Sequence, residues 1–192
     1  MSPFEYALGL ISILMSLALA DVVMSLHRLL RHRDTVKWDG RVLVAAVLVI
    51  LEVIRIWFAQ WTLRDAEVAL GFPVYLFLFT HILLLVLTAV ACLPDEVGDD
   101  CDLSAFYEAN ARYFWSAFAA TQAAYFFGWF IFGGSQAAVG GAVGAIDWFR
   151  MIAPLAAFLT LAFVRVRALD YAIPLALIAF YALRYWPQTL SG

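Results

Sequence analysis

The sequence predicts an all-α membrane protein, a bundle of six transmembrane helices, and three observations carry that expectation. Hydrophobic residues make up 65% of the 192 and charged residues only 14%, with a mean hydropathy of +0.88, too little polar material to cover a soluble domain. The apolar residues gather in six runs, most of them near the length of about 20 residues that crosses a bilayer. The connections between the runs are short, so residues 1–192 are read as a single transmembrane domain.

The first span is expected at about residues 4–26. Ala18-Leu19-Ala20 before Asp21 imitates a signal-peptidase site, but Met1–Glu5 carries no positive charge, and an uncleaved first helix is expected. Ser12, Ser16 and Ala20 form a small-residue stripe at four-residue spacing, suited to close packing of a neighbouring helix or of a second copy in a homo-oligomer. Arg28, Arg31 and Arg33 follow, a topology-setting basic turn that also offers a site for anionic lipid headgroups. His27 and His32 lie about 140° apart around a helix and do not make a metal-binding pair.

The second span is expected at about 41–63 and the third at about 69–93, ending at Pro94. Asp95, Glu96, Asp99, Asp100 and Asp102 then form an acidic loop without the glycine and glutamate of a calcium-binding EF-hand, able to attract the basic first loop. Leu103, Phe106, Tyr107 and Phe114 have helical spacing, and this stretch is expected to lie at the interface ahead of a fourth span at about 113–132. The glycine-rich segment 133–141 is read as a turn, followed by a fifth span at about 142–164 and a sixth at about 171–186, with Pro174 near its start.

Orientation comes from the basic residues. Arg28, Arg31, Arg33, Lys37, Arg41, Arg112, Arg165 and Arg167 fall in the first, third and fifth connections, and only Arg64 and Arg184 fall on the other side. The positive-inside rule then puts the odd-numbered connections in the cytoplasm and both termini outside. Cys92 and Cys101 would share that reducing side as free thiols.

Ionisable residues inside spans cost roughly 2.5–3.5 kcal/mol each on insertion scales, so they face the bundle interior and mark candidate sites. The second span holds Glu52 and Arg55, three residues apart on one face; the third holds His81; the fifth holds Asp147 and Arg150 at the same spacing; the first adds Asp21 near its cytoplasmic end. At about 1.5 Å per residue, Arg55 comes out roughly 13 Å from the outer end of its helix. Glu52, Arg55, His81, Asp147 and Arg150 could therefore meet in one polar cluster, joined by Gln60, Gln122, Tyr75 or Tyr125. The repeated acid-x-x-Arg also leaves open two inverted three-helix halves.

Other chemistry is argued down. Lys37 is the only lysine and lies in a loop, which removes a retinal Schiff base; only His81 lies deep, which removes bis-His haem. Phosphate-loop and nucleophile-elbow motifs are missing, and the basic residues do not form a face for nucleic acid. No cofactor, metal or catalytic residue is expected, and the lipid bilayer is the evident partner.

Leu93-Pro-Asp-Glu96 and Phe106-Tyr-Glu-Ala-Asn-Ala-Arg-Tyr-Phe-Trp115, with the basic end of the first helix, resemble small uncharacterised bacterial six-helix integral membrane proteins with no assigned activity. The resemblance implies a bacterial inner-membrane location. Three functions stay open: a polar intramembrane site that binds or conducts an ion, proton or small solute; a structural or accessory subunit that docks a partner; and an intramembrane lipid-modifying enzyme. The first is the leading expectation, with Glu52 as the proton- or cation-sensitive group, Arg55 and Arg150 as its modulators or anion holders, and His81 as a proton relay.

Overall fold

Local signals in the sequence set where the helices start. The computed structural model describes residues 3–62, 72–98, 100–128 and 145–185, and within these all side chains except those of 3–6, 60–62, 145–147, 150 and 151. Helix α1 spans Pro3–Arg31, with proline at its first residue and Arg28 and Arg31 in its last turn, where the helix dipole favours positive charge. Helix α2, Gly40–Thr62, is capped by Asp39, whose Oδ1 accepts the Arg41 amide at 2.8 Å. Helix α3 spans Phe72–Val90. Asp102 caps α4, Leu103–Gly128, accepting the amides of Ser104 at 2.9 Å and Ala105 at 3.1 Å. Helices α5, Ala145–Phe163, and α6, Arg167–Tyr185, complete the described chain.

Four of these helices, α1, α2, α3 and α6, are long and apolar enough to cross a membrane. In α5 the continuous run with described side chains is Ile152–Phe163, which is apolar. Helix α4 is long but carries Tyr107, Glu108, Asn110, Arg112 and Gln122.

Several expected boundaries shift. The first helix is not among them: it continues through its basic turn to Arg31, with Leu29 buried. The stretch from Leu103 is not a separate interfacial segment. It is the first half of α4, and Leu103, Tyr107, Ala111, Phe114 and Phe118 continue one buried stripe at three- and four-residue spacing. Helix α6 starts at Arg167 rather than near residue 171, which places Pro174 two turns inside it. Lacking an amide hydrogen, Pro174 cannot bond the carbonyl of Asp170, four residues back.

The helices close a ring in the order α1, α3, α4, α5, α6, α2, and α2 also reaches α3 and α4. The backbones of α1 and α3 pack closely, whereas the described parts of α4 and α6 meet through side chains, as at Tyr107 and Asp170. Aromatic stacking fills the α4–α5 seam: the rings of Phe118 and Phe158 lie 4.2 Å apart and 10° from parallel, with Trp115 stacked 6.0 Å from Phe158. Thr88 and Thr121 hydrogen-bond at 3.1 Å between α3 and α4.

The first and third connections join at one end of the bundle. The Lys37 amide donates to the Cys101 carbonyl at 2.9 Å and the Leu103 amide to the Lys37 carbonyl at 3.1 Å, while Lys37 Nζ lies 3.8 Å from Asp102. The attraction expected between the basic and acidic loops is thus realised through backbone as well as charge. The first turn of α6 reaches the same end through an Arg41–Asp170 pair.

The outside of the bundle is apolar where a soluble protein would be polar. Ile13, Leu17, Ile54, Leu87, Phe149, Phe163 and Leu183 are exposed, while Asp39, Arg41, Glu52, Arg55, His81 and Asp170 are buried. That inversion suits lipid as the surrounding solvent.

Candidate functional site

Helix geometry builds the site from α2. Residues three apart share a face, and Glu52 and Arg55 turn theirs into the bundle, Glu52 with 0% of its surface exposed. Arg55 Nε donates to Glu52 Oε2 at 2.8 Å and Arg55 Nη2 to Glu52 Oε1, a bidentate fork that uses both carboxylate oxygens. The guanidinium carbon lies 4.5 Å from the Tyr125 ring centre on α4 and 5.4 Å from that of Tyr181 on α6, held between two aromatic faces.

Among the described residues, three further polar groups lie buried in this region without a hydrogen-bond partner. They are His81 Nε2 on α3, Gln122 Oε1 on α4 and Tyr181 Oη on α6, on residues exposed by 2%, 3% and 6%. The His81 ring lies 6.0 Å from that of Tyr125, close enough to Arg55 to feel its charge. Gln122 sits one turn before Tyr125, and the Tyr181 hydroxyl is within electrostatic reach of both Glu52 and Arg55. Three helices thus contribute polar groups around one neutral ion pair carried by a fourth.

Of the residues predicted for the site, the structure brings together Glu52, Arg55 and His81, with Tyr125 between them. Tyr75 stacks instead on Phe79, 6.5 Å away. Asp21 lies apart, half-buried near Arg28, Asp95 and Cys92 at the loop end, and His81 is about 13 Å of helix from that end of α3. The side chains of Asp147, Arg150 and Gln60 lie outside the described residues. Among the residues suggested for anionic lipid, Arg31 and Arg33 are exposed, and Arg28 is half-buried with Nη2 bonded to Ser25 Oγ at 2.9 Å.

Sequence reasoning missed Tyr181, and it missed a second buried charge cluster. Tyr181 ends a buried stripe of Asp170, Pro174, Leu177 and Tyr181, whose three- and four-residue spacing was a readable signal. The second cluster is centred on Arg41 at the loop end. Arg41 Nε donates to both Asp39 oxygens at 3.2 and 3.0 Å, and Nη2 reaches Asp39 Oδ2 at 2.7 Å, Ser104 Oγ at 2.9 Å and Glu108 Oε1 at 3.4 Å. Arg41 Nη1 lies 3.6 Å from Asp170 Oδ2, and the guanidinium covers the Tyr107 ring at 4.7 Å. The Tyr107 hydroxyl accepts Trp115 Nε1 at 2.9 Å, and the Tyr171 hydroxyl donates to Asp39 at 3.4 Å. Hydrogen bonds from Arg41 hold the Asp39 carboxyl down at about 2.

Among the described residues, no group of three or more His, Cys, Asp and Glu side chains could hold a metal ion. Cys92 is buried and Cys101 half-buried, both as free thiols; burial, with the nearby Asp102, raises the Cys101 thiol above its ordinary range.

Comparison with known proteins returned no family model, no curated protein and no solved structure that matches the chain. The resemblance read at Leu93–Glu96 and Phe106–Trp115 therefore rests on those residues alone.

Proposed function

We propose that this chain is a six-span membrane protein whose polar site at Glu52, Arg55, His81, Gln122 and Tyr181 binds or conducts an ion, a proton or a small polar solute. The six-span reading is supported for α4 by its 26 residues, about 39 Å of helix, and by the inward placement of Tyr107 and Gln122. For α5 it is supported by packing between α4 and α6. The clustering of the first, third and fifth connections agrees with a cytoplasmic loop end in a bacterial inner membrane and with termini outside.

The observation that carries the functional reading is the trio of unpartnered buried groups on three different helices. Each such group costs about 1–3 kcal/mol when left unsatisfied, so three around one ion pair are poorly explained by packing alone. A polar guest that bonds them offsets that cost.

Reconstitution tests this directly. In vesicles loaded with reporter dyes, wild-type protein is expected to raise the permeability to at least one of protons, potassium, chloride and glycerol, and Glu52→Gln and Arg55→Gln to change it at least tenfold. Fluxes equal to those of protein-free vesicles, or unaffected by both substitutions, would overturn the proposal.

A second reading has its own support. The Glu52–Arg55 fork is already neutral and bidentate, as a purely structural pair in an accessory subunit would be. Under that reading both substitutions alter stability and leave every flux unchanged.

A further inference from the structure

Charge balance at the α2 pair restricts the kind of guest it accepts, provided that the pair is a binding site at all, as proposed above. An arginine keeps its proton in a protein, whereas a carboxylate can gain one. The titratable groups described around the pair are Tyr125 on α4 and Tyr181 on α6, whose rings face Arg55, and His81 on α3, within electrostatic reach of Arg55; Tyr181 also reaches Glu52. Between Ala7 and Ala20, helix α1 has no titratable residue to add. Among the described side chains, which exclude those of Asp147 and Arg150, Arg55 is then the one fixed positive charge in this group, and Glu52 is what neutralises it.

Each class of guest can be weighed on that basis. A cation bound to Glu52 would displace Arg55 and leave a net positive charge between apolar walls, where an unpaired charge costs several kcal/mol even after relaxation. An anion arriving alone would leave a net negative charge at the same cost. An anion arriving with one proton leaves the site neutral: Glu52 takes the proton, its carboxyl ceases to be a double acceptor, and the Nε and Nη2 donors of Arg55 are released to the anion. Those two parallel donors match two oxygens of a planar oxyanion.

The remaining groups fit the same guest. The Tyr181 hydroxyl can donate, His81 donates from Nε2 in one of its tautomers, and the Gln122 amide can present nitrogen in place of Oε1 by a half-turn. The faces of Tyr125 and Tyr181 keep the guanidinium in position while its partner is exchanged. We propose that the site takes a small planar monovalent oxyanion together with one proton, the anion on Arg55 and the proton on Glu52.

Nitrate is a suitable probe, because it stays ionised at any pH the protein tolerates and any proton taken up must go to the protein. Titration of the purified full-length chain in detergent, weakly buffered with a pH dye, is expected to show nitrate binding with about one proton taken up per anion, and an affinity that weakens about tenfold per pH unit across the alkaline range. Glu52→Gln, neutral like the protonated acid, should bind nitrate with no proton uptake and no pH dependence. Arg55→Gln should not bind it, and E52Q/R55Q serves as the control if the single variant fails to fold. Nitrate binding without proton uptake, or pH dependence that survives in Glu52→Gln, overturns the coupling. Binding of sodium, potassium or glycerol in place of nitrate overturns the anion assignment and leaves the binding site standing. Binding of none of these probes overturns both.

Discussion

Helix α2 carries two buried arginine–carboxylate pairs, Arg41 with Asp39 and Arg55 with Glu52, fourteen residues or about 21 Å apart along the helix. They share a bidentate geometry and a tyrosine ring over the guanidinium, and differ in how many further charged and polar partners the arginine has. At the loop end, Arg41 also reaches Ser104, Glu108 and Asp170, and the Glu108 side chain is 69% exposed, so the cluster opens onto solvent. Halfway along the helix, Arg55 has one carboxylate and two aromatic faces, and the polar groups beyond it are unpartnered. An ion pair backed by further donors and acceptors anchors helix ends. One surrounded by unanswered polar groups has capacity left for something else.

Removing the arginines should separate the two regions most strongly. Arg55→Gln strands a buried carboxylate and should cost about 3–5 kcal/mol, read as thermal unfolding in detergent. The double variant E52Q/R55Q should recover most of that loss, because no charge is then unpaired. Arg41→Gln should cost about 2–3 kcal/mol, since water admitted beside Glu108 can solvate the carboxylates left behind. Equal losses at the two arginines would mean that the loop end is as dry as the middle of the bundle.

A pH dependence sharpens the contrast at smaller scale. The folded chain holds the Asp39 carboxyl at about 2, below its ordinary value of 3.8, so its contribution is complete above 3.8 and disappears as pH falls through about 2. Asp39→Asn should therefore destabilise by about 1.5–2 kcal/mol at pH 6 and by very little at pH 2, measured as the difference in Tm from wild type. The smallest expected effect is at Gly40, where an added Cβ would lie 3.1 Å from the Tyr171 hydroxyl and 3.2 Å from its ring. Gly40→Ala should cost about 1 kcal/mol by pushing Tyr171 from Asp39, and Tyr171→Phe should leave Gly40→Ala nearly neutral.

The same contrast explains what the sequence made legible. Apolar runs announce helices, and a Glu and an Arg within such a run are conspicuous, so Glu52, Arg55 and His81 could be read directly. Asp39, Arg41 and Asp170 sit at helix starts, where charged residues are ordinary, and nothing local distinguishes a buried one from a solvated one. Tyr181 escaped for the opposite reason: one tyrosine in an apolar helix is unremarked until neighbouring helices put an ion pair beside it. The α4 boundary was misplaced because polar residues broke the hydropathy signal while the buried stripe ran on beneath them.

Helix α4 has a consequence for how such a protein is made. Its Tyr107 and Gln122 face inward against α2, α3 and α5, and Glu108 and Arg112 add charge near its start. Alone in lipid these residues would oppose insertion. On the six-span reading proposed above, its entry into the bilayer would depend on the helices it packs against, α2 and α3 made before it and α5 made after it. Insertion and assembly would then be one event: the ribosome can deliver α4, and only its companions would make the membrane keep it.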